Sequence, residues 1–213
     1  MRTVRPARWL PLAFALLLCF AAYRHLTAAG WTLSGGWYSS IATLRAENPP
    51  ADPGTLPAEW PAGLQCGAER PLFVHQYNDD LYIIRQSKCV TFEAPFLYLL
   101  FGEDKALLMD TGAVADSSVV RLVDRLVQQW LAANGKAEIP LIVAHTHSHG
   151  DHTAADGYFR AAMRKGLLPY IETVVDTSVA DVIELWVFED FPNDVPTIDL
   201  GDRVIDVLGT PGH

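Results

Sequence analysis

Four of the chain's seven histidines lie in one stretch, "HTHSHGDH", at residues 145–152. Neutral imidazole and carboxylate are the ligands that zinc and similar first-row divalent ions bind, and the absence of a thiolate from the stretch favours hydrolytic over purely structural chemistry. The apolar run "LIVA" comes directly before it. The histidines therefore follow a buried strand, at a position where sheet proteins commonly carry functional groups.

The spacing within this stretch predicts which side chains share an ion. Residues at alternate positions of an extended chain point the same way, so His147 and His149 can converge on one metal, and Asp151 and His152 can turn toward a neighbouring point. A chance run in a solvated loop is the alternative, and the complete H-x-H-x-D-H pattern disfavours it. His145 fits the stretch but not the pattern, so we expect it to support the ligands from behind or to be structural.

The elements that would position these residues begin at Leu72. Apolar, β-rich runs predict strands, and a helical stripe predicts one helix over residues 117–133, ending at Asn134-Gly135. Strands first, followed by strand and helix alternation, indicate a layered α/β domain. The predicted strands are "LFVHQY", "LYIIRQ", "FLYLLFG", "KALLMD", "PLIVAHT", "YIETVVD" and "RVIDVLGT", and "SVADVIELWVF" predicts a second helix.

The first 29 residues have the layout of a secretory signal. Three arginines precede an apolar run over residues 9–22, and the alanines at 28 and 29 offer a cleavage point. An uncleaved membrane anchor through residues 9–22 is the alternative. We therefore expect an exported protein, periplasmic or extracellular, with either a signal peptide or an N-terminal membrane anchor.

Residues 30–71 follow as a proline-rich arm or linker, before the main domain at 72–213. Loss of the signal would leave two cysteines, Cys66 and Cys89. An oxidising compartment would permit them to pair, and two separate buried thiols are the alternative.

Composition restricts the partners. The chain is half apolar, enough for a sizeable core, and carries 16 basic against 25 acidic residues, for a formal net charge of -9. A nucleic-acid-binding domain needs a basic footprint, so we expect no nucleic acid and a small-molecule substrate instead.

Three separated motifs resemble the metallo-β-lactamase fold hydrolases: "LLMDTG", "HSHGDH" and "GTPGH", in the order and rough spacing of that family, from about residue 72 to the end. The resemblance implies an αββα sandwich. It also implies that Asp110 is a carboxylate beneath the metals that orients their ligands. The implied metal ligands are His147, His149 and His213 for the first ion, with Asp151 and His152 beginning the second site.

The function implied by the resemblance is that of an exported, zinc-dependent hydrolase with two ions, iron or manganese being alternatives. The ions would activate a shared water to hydroxide, and Asp151 would position it and accept its proton. A lactam, an ester or thioester, and a phosphoester all remain open as substrates, since fold does not fix function. A non-catalytic metal- or partner-binding module of the same fold is the main alternative; the export signal disfavours a cytosolic redox member.

Two features depart from the family. The chain has "TAADG" at 153–157, where a glycine pair often follows the motif, and the family's later bridging aspartate and later histidine do not follow His213. We therefore expect the N-terminal portion of such a protein, with an incomplete second half and second metal site. This chain alone should then be inactive or nearly so.

Overall fold

A computed structural model describes residues 54–210. The predicted signal or anchor, with its apolar run at 9–22, lies outside the described residues, as do the first part of the arm and His213. Within the described part, no helix is both long enough and apolar enough to cross a bilayer.

The core of the fold is a six-stranded sheet whose strands lie in chain order. Its first four strands form an antiparallel meander, and the last two run parallel to the fourth. These six predicted strands are confirmed, with ends shifted by a few residues. The strands are β1 (Leu72–Asn78), β2 (Leu81–Gln86), β3 (Phe96–Phe101), β4 (Ala106–Met109), β5 (Leu141–Ala144) and β6 (Ile171–Val174).

Helices make the connections between the parallel strands. The predicted helix α1 (Ser118–Asn134) links β4 to β5 and ends at Gly135, whose φ of 62° is left-handed. Between β5 and β6 lie two helices that the sequence did not predict, α2 (Gly150–Thr153) and α3 (Asp156–Arg164). The second predicted helix is α4 (Val179–Trp186).

Successive side chains of the central strands point to opposite faces of the sheet and contribute to two separate hydrophobic cores. Leu108 and Val143 pack on one face of the sheet with α1 and α3, whereas Leu107 and Ile142 pack on the other face with Trp186 of α4. The second face is also covered by a two-stranded antiparallel sheet. One face of the main sheet thus carries α1 and α3, and the other carries α4 and the small sheet. This layering fits an incomplete αββα sandwich, and the predicted α/β class is confirmed. The small sheet consists of β7 (Thr197–Asp199) and β8 (Val204–Asp206).

The described end of the proline-rich arm lies against the main sheet. Its Thr55 backbone N–H donates to the Tyr77 carbonyl at 3.0 Å. Trp60 packs edge-on against Phe96, with ring centroids 4.9 Å apart. A disulfide joins Cys66 to Cys89, which confirms the pairing and excludes two separate thiols.

Candidate metal centre

The site begins where β4 and β5 end side by side. These strands are parallel, Met109 is paired with Ala144, and the next residue, Asp110, donates its N–H to the Ala144 carbonyl at 2.8 Å. The carboxyl ends of parallel strands therefore place Asp110 next to the start of the histidine stretch, at the edge of an α/β sheet where ligands commonly bind.

Asp110 is a buried carboxylate surrounded by donors. Its side chain is only 2% exposed, and Oδ2 accepts hydrogen bonds from His152 Nδ1 at 2.8 Å and from Thr146 Oγ1 at 2.9 Å. Oδ1 accepts from the Thr146 backbone N–H at 2.8 Å. A buried charge is costly without such partners, so Asp110 holds both residues in place from beneath.

The bond to Asp110 selects the tautomer of a neutral His152. Because an ionised carboxylate only accepts, that tautomer carries its hydrogen on Nδ1 and its lone pair on Nε2. That Nε2 lies 3.2 Å from Oδ2 of Asp151. Two acceptor atoms this close are stabilised by a cation or a second proton, and a histidine backed by a carboxylate is the usual arrangement of a metal ligand.

Three further ligand atoms converge beside His152. His147, His149 and Asp151 each offer one atom, and these atoms lie within 4.8 Å of one another. Zinc sits about 2.0–2.2 Å from nitrogen and oxygen ligands, so atoms around one ion are at most about 4.4 Å apart, and small side-chain adjustments would suffice. The donor set therefore fits a zinc-like ion.

Local backbone geometry produces this convergence. His149 is still extended, with φ −69° and ψ 150°, and α2 starts at the next residue. The chain therefore turns back between His149 and Asp151, so that the carboxylate returns toward the two imidazoles. The short helix α2 is thus the element that converts the extended H-x-H into a three-sided cluster.

The turn after β4 is bonded to α2. The Thr111 N–H donates to the His152 carbonyl at 2.7 Å, and the Ala154 N–H donates to the Gly112 carbonyl at 2.9 Å. The segments carrying Asp110 and His152 are therefore fixed to each other through their backbones as well as their side chains.

His145 does not belong to the cluster of ligand atoms. Its side chain is 3% exposed, with Nδ1 3.9 Å from Asp110 Oδ1 and Nε2 3.1 Å from Asp156 Oδ2, although the latter angle is outside that of a hydrogen bond. It thus lies beside Asp110 and Asp156, and its role, as support for the ligands or as a structural residue, stays a prediction.

Sequence reasoning missed Thr146 and Asp156. Thr146 sits inside the histidine motif, so its hydroxyl was a usable signal, whereas Asp156 appeared only as part of the unusual "TAADG" turn. Asp156 accepts a hydrogen bond from Thr111 Oγ1 at 2.7 Å, a contact across 45 residues of sequence that spacing alone does not reveal.

Two neighbouring features shape the surroundings of the cluster. On the loop after β2, the Thr91 hydroxyl lowers the pKa of Glu93 by hydrogen bonding, while the negative charge of Asp151 acts in the opposite direction.

A cavity of about 410 Å³ opens beside His147, with an apolar wall that includes Met109 and Trp186.

The structure thus brings His147, His149 and Asp151 together, with His152 beside them and Asp110 beneath. The predicted ligand His213 lies outside the described residues. The roles of all these residues as metal ligands, or in the case of Asp110 as their support, stay predictions.

Neither a protein-family model nor a curated protein sequence matches the chain. Among solved structures, the chain is similar to the DIM-1 metallo-β-lactamase, with 19% identity and a TM-score of 0.31 over 43% of this chain and 40% of that one. It is similar to TMB-1, with 19% identity and a TM-score of 0.33 over 52% and 53% of the two chains.

A metallo-β-lactamase from Erythrobacter litoralis shows 13% identity and a TM-score of 0.32 over 53% of each chain. The matched region thus spans about half, or less, of the length of these structures.

Proposed function

We propose that this chain is part of a zinc-dependent hydrolase of the metallo-β-lactamase type. The observation that carries the proposal is the convergence of His147, His149 and Asp151 beside a histidine whose ring is fixed by a buried carboxylate. Imidazole and carboxylate ligands without thiolate suit a hydrolytic zinc site.

A zinc ion held there supplies Lewis acidity and lowers the pKa of a water that it binds. The chain's own residues do the rest. His147 and His149 would hold the ion, and Asp110 would keep the His152 ring turned so that Nε2 faces Asp151. Asp151 lies half-buried in the same cluster, where its carboxylate would orient the attacking water and accept its proton.

The substrate we propose is a small molecule with a hydrolysable lactam, ester, thioester or phosphoester bond. The cavity beside His147 has room for such a molecule, since ligand pockets commonly measure about 300–1,000 Å³. The acidic chain, with its formal net charge of -9, disfavours polyanions and nucleic acid.

Export to the periplasm or the extracellular space is part of the proposal. The Cys66–Cys89 disulfide supports it, because such bonds form and persist in oxidising compartments. Cell fractionation tests it, and recovery of the protein only from the cytosol would contradict it.

The metal site is tested by elemental analysis of the full chain after mild dialysis. We expect at least one zinc ion per chain, lost when His147→Ala and His149→Ala are combined because two of its ligands are removed. His75→Ala is the matched control: this histidine lies on β1 with its ring against the Thr55 carbonyl, and its loss should leave the metal content unchanged.

A wild-type chain without metal, or a double variant that keeps it, would contradict the assignment. A panel of lactam, thioester and phosphoester substrates then identifies the bond that is cleaved. It is assayed on the complete reading frame with the same substitutions, because this chain alone is expected to be inactive or nearly so. Hydrolysis that persists in the metal-free double variant would overturn the proposed mechanism.

A further inference from the structure

Asp156, the first residue of α3, lies where the segments after β4 and β5 meet. Its Oδ1 accepts the hydrogen bond from Thr111 Oγ1 at 2.7 Å, and its Oδ2 lies 3.1 Å from His145 Nε2. One carboxylate therefore contacts both segments that carry the proposed metal site.

The two residues that Asp156 contacts, Thr111 and His145, are sequence neighbours of Asp110 and Thr146. Thr111 follows Asp110, and its own N–H is bonded to the carbonyl of His152. His145 precedes Thr146, which donates both its N–H and its hydroxyl to Asp110. A displacement of either segment would therefore move the carboxylate that fixes the His152 ring.

The backbone at Asp110 makes this support necessary. Asp110 has a φ of 69°, in the left-handed region that residues other than glycine seldom occupy. Such a conformation persists only where its surroundings determine it. The next residue, Thr111, is anchored by its hydroxyl, which donates to Asp156 Oδ1 at 2.7 Å.

The arrangement around Asp156 does not look like helix capping. The residue before α3, Ala155, provides no side-chain cap. Oδ1 of Asp156 accepts from Thr111, and Oδ2 lies 3.1 Å from His145 Nε2. On the helix side, Arg160 lies 3.7 Å from Oδ2 and donates to the Val174 carbonyl at 2.8 Å, which offsets part of the carboxylate's charge.

We propose that Asp156 is a positioning residue for the metal site, acting through Thr111 and His145 on Asp110 and His152. The proposal rests on the proposed function, because it requires that this cluster binds a metal. It assigns a role in metal affinity to a residue that belongs to none of the ligand motifs.

Zinc affinity of the full chain, measured by competition with a chromophoric chelator, tests the proposal. We expect Asp156→Ala and Thr111→Val each to weaken binding about tenfold, the lower end for residues that orient ligands. Thr111→Ser keeps the hydroxyl and should restore wild-type affinity, which a loss of packing alone would not predict. The Thr111 pair also provides the test if Asp156→Ala fails to fold.

The double variant adds a second criterion. If Asp156 acts through Thr111, the combined loss should be clearly smaller than the product of the two single losses, because the contact is already broken in each. Asp176→Asn is the matched control: its carboxylate is 71% exposed and faces Arg160 at 4.0 Å, so its affinity should equal that of the wild type.

The visible spectrum of the cobalt-substituted protein reports ligand geometry independently of activity. We expect it to change in Asp156→Ala and Thr111→Val and to stay unchanged in Thr111→Ser and Asp176→Asn. If the wild type binds zinc, and Asp156→Ala and Thr111→Val keep both its zinc affinity and its cobalt spectrum, this proposal alone is overturned. A wild-type chain that binds no zinc would overturn the proposed function as well.

Discussion

At the level of single residues, the site depends on one buried carboxylate. Asp110 receives its donors from two separate positions, Thr146 and His152, and adopts a left-handed backbone to reach them. The motif "LLMDTG" indicated this residue, but not its partners, because they lie more than 30 residues further along the chain. Its role is therefore best tested by a substitution that keeps the shape and removes the charge.

We expect Asp110→Asn to weaken zinc affinity by about ten- to a hundredfold while the fold stays intact. Asparagine tolerates the left-handed region, so the backbone is retained, but its amide replaces one of the two oxygens that accept hydrogen bonds. Chelator competition measures the loss, and circular dichroism checks the fold. Asp79→Asn, in the exposed turn between β1 and β2, is the control. If Asp110→Asn bound zinc as tightly as the wild type, Asp110 would have only a structural role in the turn.

At the level of elements, the sequence predicted those with a clear apolar signal. The six strands of the main sheet appear as short apolar, β-rich runs, and α1 was found because its apolar residues recur at helical spacing over 17 residues. It missed α2, with four residues and no buried side chain, and β7, with only three residues. It also missed α3, in which only Phe159 and Ala162 are buried, too few for a recognisable stripe.

The same contrast applies to the site. The H-x-H-x-D-H spacing placed three ligand candidates together because they are neighbours in sequence on a strand end and a short turn. The contacts of Asp156 could not be predicted, since they need α3 to be packed against the β4 turn. Ligand candidates that are close in sequence can be predicted from their spacing. The residues that support them come together only through tertiary packing.

The turn after β4 requires glycine at one position. Gly112 has a φ of 86°, and an added Cβ would lie 2.7 Å from Nε2 of the buried Gln86, whose Oε1 accepts from the Ala113 N–H. We expect Gly112→Ala to lower the free energy of unfolding by about 1–3 kcal/mol, through backbone strain and the displaced amide. Chemical denaturation measures the change.

Gly157 provides the matched control for that variant. It lies within α3, and an added Cβ there would meet no atom within 4 Å. Alanine at an exposed helical position should be neutral or stabilising, by up to about 1 kcal/mol. If both alanine variants had the same stability, the special role of the turn at Gly112 would be refuted.

At the level of the whole molecule, the described part of the arm is held to the sheet at several points. Arg85 donates to the Pro61 carbonyl at 3.0 Å, and Ser87 donates to Glu69 Oε2 at 2.9 Å. The disulfide between Cys66 and Cys89 adds a covalent link across 23 residues. The disulfide also restrains the loop between β2 and β3. Glu93 lies on this loop, and the charge of Asp151 acts on its pKa.

We expect the combined change Cys66→Ser and Cys89→Ser to lower the free energy of unfolding by about 3 kcal/mol, as closure of a loop of this length predicts. Chemical denaturation of the exported, metal-free protein measures this loss, and the wild type treated with a reductant should match the serine variant. Zinc affinity should change far less than stability, because the cysteines contribute no atom to the cluster of His147, His149 and Asp151. A serine variant as stable as the oxidised wild type would show that the hydrogen bonds of the arm suffice to hold it to the sheet.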